Sequence, residues 1–470
     1  MTRTRKRRIA SWQADLVAAS PFVILCGVVA VCYFVYRIIL LAYPVEVLEH
    51  EALHTATTPS VVCAKDEGSS PTSSPSILSL SYQNRIAQLN PLGGNLVMNP
   101  DMTDIDQNAQ VPKGYVYNVA NATSDYQYLH DRDGSPFLRI TDTRKTGSPS
   151  QITPAWLPDP VPVTPENTYA YSFQYRSTIP VQVALERTAA VGGKVSDASI
   201  VTLNPTSSWQ SFTAHFNNTD NDTSFRVVIT GVSPGRIDSR KFNVHEIPSA
   251  ELPNGMVSVT FDDGWESTAA TAAALLAKYH ILTTQYIISE VAASGVPEYM
   301  DYNAILSLKQ AGNEIGSHTL THCDQTTLSS TAIQNNAIQS KQMLEAHSLG
   351  PIESFAYPLG QYNDTTQAIY SKQYPFIRTS DVGYNDRYFD ETNIHSMAVL
   401  STTKASTVQS WLAYAKVHHL WLVLVYHQVN GSGEYNVTST QLDQQLNMVS
   451  RSGLTVLPLA AAGKEIRGTN

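Results

Sequence analysis

Charge, cysteine and internal repetition are all scarce in this chain. Only 15% of its 470 residues are Asp, Glu, Lys or Arg, against 42% hydrophobic residues. A large core is therefore available, and the length suggests two or three domains. No 20–50-residue repeat is visible. Cysteine numbers four: Cys26 and Cys32 lie in an apolar run, Cys63 in a polar stretch, and Cys323 directly after a histidine. A Cys63–Cys323 disulfide is conceivable outside a cell, but nothing in the spacing supports it. Basic residues are few beyond the amino terminus. Arg3, Arg5, Lys6, Arg7 and Arg8 contribute +5 to a net charge of −9, so the remainder stands at −14, the difference of the two. That balance argues against nucleic acid or other polyanions as partners of the remainder.

Residues 21–43 form an apolar run broken only by Arg37. It is long enough to cross a bilayer, and Arg37 is close enough to the outer end to snorkel. The basic residues before it place the amino terminus in the cytoplasm and the rest outside. A cleaved signal peptide is the competing reading. It needs a shorter apolar core and a small-residue cleavage site, and no convincing site follows Tyr43. The reading preferred is a basic cytoplasmic tail over 1–20 and a single transmembrane helix over 21–43, giving one membrane contact.

Residues 44–90 read as linker, rich in Ser, Thr and Pro, as in Ser69-Ser70-Pro71-Thr72-Ser73-Ser74-Pro75. Such composition buries little surface. Residues 91–248 change character. Tyr169–Tyr175, Val181–Leu185, Ser211–Phe216 and Phe225–Ile229 alternate apolar and polar positions and are separated by Pro, Gly and Asn. Period-2 strands at this spacing predict an all-β sandwich. From 249 to 470, helical and strand patterns alternate, with Gln441–Ser450 reading as a helix and Leu454–Leu457 as the last strand.

The chemistry concentrates in that last segment. Met256–Phe261 is apolar and β-branched, a buried strand. Asp262 and Asp263 follow it, then Gly264, where the backbone can turn. Glu266–Tyr279 reads as the next helix. Asn313–Ser317 looks like another short strand, followed by His318 and His322. If those histidines occupy one helical turn, their spacing puts them on one face. Two imidazoles and a carboxylate leave positions open for water and substrate, the layout of a catalytic metal site. Taken singly, Asp-Asp-Gly is an ordinary turn, and His-x-x-x-His is more often surface or packing. Their conjunction after two strands favours metal.

At these residues the chain resembles the NodB-type polysaccharide deacetylases, carbohydrate esterase family 4, over about Met256 to Leu459. Thr260-Phe261-Asp262-Asp263-Gly264 is similar to the first family motif, and Ser317-His318-Thr319-Leu320-Thr321-His322 to the second. Phe355–Asn363 and Leu424-Val425-Tyr426-His427-Gln428 look like two later ones. The resemblance implies an α/β fold, a distorted (β/α) barrel, and removal of N-acetyl groups from a polysaccharide. It implies Asp263, His318 and His322 as ligands of a divalent metal. Zinc is the first expectation, with cobalt, nickel or manganese admitted by the same ligand set. Asp262 would be the general base, His427 the general acid, and the Leu359 N–H an oxyanion donor. For His427 the alternative is a buried histidine bonded to backbone. The family's third-motif Arg is absent, its place taken by Ala356, and so is the Asp-Trp pair of the fourth motif. Arg378, in Phe376-Ile377-Arg378-Thr379, is expected to supply the missing guanidinium beside Asp262, the alternative being an ordinary structural Arg.

Asn95–Pro100 and Trp209–Phe212 resemble carbohydrate-binding jelly-roll modules, which would make the sandwich jelly-roll-like. Trp156, Tyr126 and Tyr128 could stack on sugar rings or fill the sandwich core. Two other functions stay open: a non-catalytic glycan-binding scaffold at the cell surface, and an O-acetyl esterase using the same metal site.

Overall fold

The computed structural model describes residues 78–118, 124–143, 154–190, 193–196 and 201–468. The basic tail, the expected span at 21–43, most of the expected linker and Cys63 lie outside the described residues. Among those described, no helix is long and apolar enough to cross a membrane.

The amino-terminal half packs two antiparallel sheets face to face. One runs in the order 206–217, 168–177, 235–247, 136–142 and 124–130; the other joins 193–196, 181–189, 222–231 and 161–162, with 201–203 also on 181–189. Alternation drives the arrangement. In Thr168–Ser177 the buried positions include Tyr169, Tyr171, Phe173 and Tyr175, and in Val181–Ala189 they are Val181, Val183, Leu185 and Ala189. One face of each sheet is therefore apolar and must be covered. Phe225 of the second sheet meets Phe216 and Tyr171 of the first, at ring-centroid distances of 4.9 and 6.2 Å. Trp156 belongs to this core: it is buried, and its indole N–H donates to the Arg139 carbonyl at 3.0 Å. It offers no ring to a sugar. Tyr126 is half-buried, stacked on Tyr117 at 4.5 Å. The Tyr128 hydroxyl donates to the Met102 carbonyl.

The carboxy-terminal half is a closed ring of parallel strands. They are β1 (Met256–Phe261), β2 (Thr284–Ile287), β3 (Glu314–Ser317), β4 (Ser354–Ala356), β5 (Phe376–Val382), β6 (Ile394–Ala398) and β7 (Trp421–Tyr426). Every residue of β1 and β7 is buried, as expected for parallel strands covered on both faces. β1 pairs with β7 along its whole length, from Met256↔Trp421 to Phe261↔Tyr426. It meets β2 only at Thr260↔Thr284 and Phe261↔Gln285. The short β8 (Thr455–Val456) takes its other end. The ring is thus distorted where its first strand shares one edge between two neighbours. Trp421 is fully buried, and its indole donates to Ser258 Oγ at 2.9 Å. Truncating such a ring typically costs about 3–5 kcal/mol.

At the amino-terminal ends of the strands the barrel is plugged by the helix Leu459–Arg467. Its Ala460 N–H donates to the Glu314 carboxylate at 2.8 Å, and its Leu459 N–H to Thr284 Oγ1. A carboxylate at a helix amino terminus meets unpaired N–H groups and the positive end of the dipole. Burial pushes the Glu314 carboxyl up from its ordinary value.

Two expectations need correction. The segment read as a helix from Glu266 to Tyr279 is interrupted by a π turn at Thr268–Ala272 before the α-helix Ala273–Tyr279. The stretch read as linker to residue 90 contains a helix, Leu80–Gln88, with Tyr82 and Ile86 buried. Too few apolar residues mark that helix for composition to reveal it. Its anchoring is polar. Ser79 caps it by accepting from the Tyr82 N–H, and the Ser79 N–H and hydroxyl both donate to buried Asp390. Arg85 pairs with Glu391 at 2.8 Å. The Tyr82 hydroxyl contacts His215 Nδ1 at 2.7 Å, and His215 Nε2 contacts Asp386 at 2.6 Å. The helix therefore touches both the sandwich strand 206–217 and the barrel loop 386–391. Ser79→Ala should lower the unfolding free energy by about 0.5–2 kcal/mol, the usual cost of a lost cap. Urea denaturation checks this; an unchanged midpoint would show that the helix is not anchored there.

Candidate active site

Asp262 continues the β1 ladder, its N–H donating to the Tyr426 carbonyl at 2.9 Å. Asp263 then turns into the left-handed region at φ +73°, and Gly264 follows at φ +79°. Asp tolerates this conformation better than most residues, at a cost of about 1–3 kcal/mol. The turn separates the two carboxylates. Asp262 meets Arg378 and His427, whereas Asp263 meets His318, His322 and Trp265.

The Asp263 side groups three residues that could hold a cation. Asp263 Oδ1 lies 3.4 Å from His318 Nε2 and 3.2 Å from His322 Nε2. Those three ligand atoms lie within 4.8 Å of one another. Around a tetrahedral ion with bonds of about 2.0–2.1 Å, neighbouring ligand atoms stand about 3.3 Å apart. Asp263 Oδ1 is buried and makes no hydrogen bond, the condition of an oxygen with a ligand position to fill. His318 Nδ1 donates to the Ala356 carbonyl at 2.8 Å, which leaves the lone pair on Nε2, facing the carboxylate. Burial pushes the Asp263 carboxyl up, but His322 and His318 outweigh it and hold the group well below the usual carboxylate range. The donor set fits a divalent metal. Cys323 is buried and disulfide-bonded, so it adds no thiolate.

The histidine pair is not helical. Residues 318–322 form an irregular turn, with Thr319 at φ +70° and His322 at φ +58°. The Thr319 hydroxyl accepts from the His322 N–H at 3.0 Å and closes the turn. The rings end 4.9 Å apart by this route rather than by helical spacing.

On the Asp262 side, Arg378 Nη2 donates to Asp262 Oδ2. Each side chain is 4% exposed. Sheet register explains how the guanidinium arrives. Ala356 of β4 pairs directly with Arg378 of β5, so an Arg one strand over from the Ala356 position reaches the same carboxylate. The guanidinium carbon lies 5.2 Å from the Tyr286 ring centroid. Gly316 makes room for that ring, since a Cβ there would fall 2.5 Å from Tyr286 Cε1. His427 follows β7 and places Nε2 3.8 Å from Asp262 Oδ2. Its ring lies 4.8 Å from Tyr435, and burial holds its pKa below the ordinary imidazole value. Leu359 sits in the turn Pro358–Gly360 after β4, at φ +58° and 43% exposed.

Three aromatic neighbours escape the sequence reading: Trp265, Tyr286 and Tyr435. Trp265 is only two residues from Asp263, so its proximity was legible but its hydrogen bond was not. The other two reach the site through tertiary packing and carry no local signal.

Residues 249–375, within this barrel, match the family model described as Polysaccharide deacetylase. Among curated relatives, a Bacillus subtilis (strain 168) protein whose polysaccharide deacetylase designation is provisional is 27% identical over 110 residues, covering 23% of this chain and 39% of its own. A bifunctional xylanase/deacetylase of Pseudobutyrivibrio xylanivorans is 21% identical over 299 residues, covering 64% of this chain and 45% of its own. The chain thus spans less than half the length of these relatives. Among solved structures, the Xyl-CE4 domain of a multidomain xylanase from the hindgut metagenome of Trinervitermes trinervoides is 19% identical. That match covers 46% of this chain and 93% of the other, with a TM-score of 0.34.

The triad predicts one bound zinc or cobalt ion per chain after dialysis against the metal. His318→Ala and His322→Ala should each abolish that stoichiometric uptake, while His427→Ala retains it. Elemental analysis decides, and full uptake by both triad variants would rule the site out.

Proposed function

We propose that the barrel is a metal-dependent hydrolase that removes N-acetyl groups from a polysaccharide of the N-acetylglucosamine type. One observation carries the reading: a carboxylate clamped by Arg378, with His427 beside it, lies next to an Asp-His-His cluster fit for a cation. The match of residues 249–375 to the polysaccharide deacetylase family supports it.

Amide hydrolysis requires a nucleophile, stabilisation of charge on the carbonyl oxygen, and a proton for the leaving amine. A divalent cation, zinc in our reading, would polarise the acyl oxygen and acidify a water when held by Asp263, His318 and His322. Asp262 acts as general base. Arg378 occupies its Oδ2, and its Oδ1 is buried without a partner, so Oδ1 is the oxygen that takes the proton from the attacking water. His427, beside the same carboxylate, gives a proton to the amine. The Leu359 N–H supports the oxyanion.

In this reading the barrel works outside the cell, tethered through residues 21–43, and its substrate is an envelope or matrix glycan. The apolar run behind five basic residues supports the tether.

The test is acetate and free-amine release from N-acetylglucosamine oligomers by the full-length chain, with and without zinc or cobalt. Asp262→Asn and His427→Ala should each lower kcat by about 10²–10⁴-fold. Arg378→Ala should lower kcat while metal stoichiometry stays at one. Acetate without amine from O-acetylated substrates would identify an esterase instead. Neither product, with metal bound, would leave a glycan-binding scaffold.

A further inference from the structure

Asp263 has two carboxylate oxygens but presents only one to the histidines, and the strand does not determine which. Its backbone, like that of Gly264 after it, is in the left-handed region. The orientation is set from the other side. The indole N–H of Trp265 donates to Asp263 Oδ2 at 2.9 Å, leaving Oδ1 to face His318 Nε2 and His322 Nε2. The indole is itself held. It stacks on Tyr299, centroids 4.5 Å apart and planes 20° from parallel. The loop carrying Tyr299 is stitched to the Asp263 turn by a Trp265↔Tyr299 bridge, by Glu266 N–H to Glu298 O at 2.9 Å, and by Met300 N–H to Gly264 O at 2.8 Å. Ile288, Val291 and Val296 complete a small apolar cluster around the two rings.

The geometry points to Trp265 as the positioning residue of the metal site. Its N–H ties down Oδ2 and turns Oδ1 towards the two imidazoles, so that Asp263 would offer a bound cation that one oxygen. Without that bond the carboxylate would lose its fixed orientation towards the histidines. Outer partners of metal ligands act in this way, and losing one typically weakens metal binding by about 10–100-fold. This inference rests on the metal reading of Asp263, His318 and His322.

The experiment titrates the full-length, metal-free chain with Co²⁺ alone, following affinity by calorimetry and coordination by visible absorption. Trp265→Phe keeps a ring against Tyr299 and removes only the donor. It should weaken Co²⁺ binding by about 10–100-fold and alter the absorption spectrum, while thermal unfolding of the metal-free chain stays near that of the parent. An unaltered affinity and spectrum would overturn the role of Trp265 and leave the metal site standing. If the parent takes up no Co²⁺ in a His318-dependent manner, the metal reading falls and the inference with it. Should Trp265→Phe fail to fold, Tyr299→Leu keeps the N–H and removes its backing. It too must weaken Co²⁺ binding, and unchanged binding would overturn the inference.

Discussion

The buried pair of Arg378 and Asp262 is the constraint around which the barrel's open end is arranged. Removing two charges from water costs several kcal/mol per ion before their attraction and hydrogen bonds offset it. Each partner alone would be an uncompensated charge in the interior. The pair therefore holds β1 and β5 to one another across the ring through their side chains. Tyr286 fills the space beside the guanidinium only because Gly316 has no side chain, and Ala356 stays small next to Arg378. These are requirements of the ion pair on its neighbours, and they come from three other strands.

The fold and the site differ in how much of each was legible. Strands such as Thr168–Ser177 were readable because one face is buried and alternation follows, and β1 because burial on both faces leaves a mostly apolar, β-branched run. The partition of the sandwich strands between two sheets was not, since register is a property of pairs. Asp263, His318 and His322 were legible as a group because turns directly after two strands present them. The turn that joins the histidines is not helical, and the irregular backbone of Thr319 and His322 leaves no periodic trace. Arg378 could be named from the adjacent strand pattern, but its arrival at Asp262 depends on Ala356↔Arg378 pairing.

The helix Leu80–Gln88 shows a different kind of blindness. Its neighbours upstream are Ser, Thr and Pro, and it buries only Tyr82 and Ile86. What fixes it is an exchange of polar partners with Asp390, Glu391 and, through His215, Asp386. Such partners lie some 300 residues away, as for Ser79 and Asp390, where no local pattern can point to them. The same polar contacts give the sandwich and the barrel a shared boundary.

The unequal edge of β1 bears on how the chain comes to be folded. The first barrel strand completes its pairing only with β7 and β8, in registers such as Met256↔Trp421 and Val257↔Val456. Contacts so distant along the sequence carry the full entropy of loop closure and slow folding. β1 cannot satisfy that edge before Trp421–Tyr426 has been made. Asp262 thus gains its backbone partner Tyr426 and its neighbour His427 among the last of its contacts. A nascent chain interrupted before Trp421 would carry the cation ligands but no completed reaction centre.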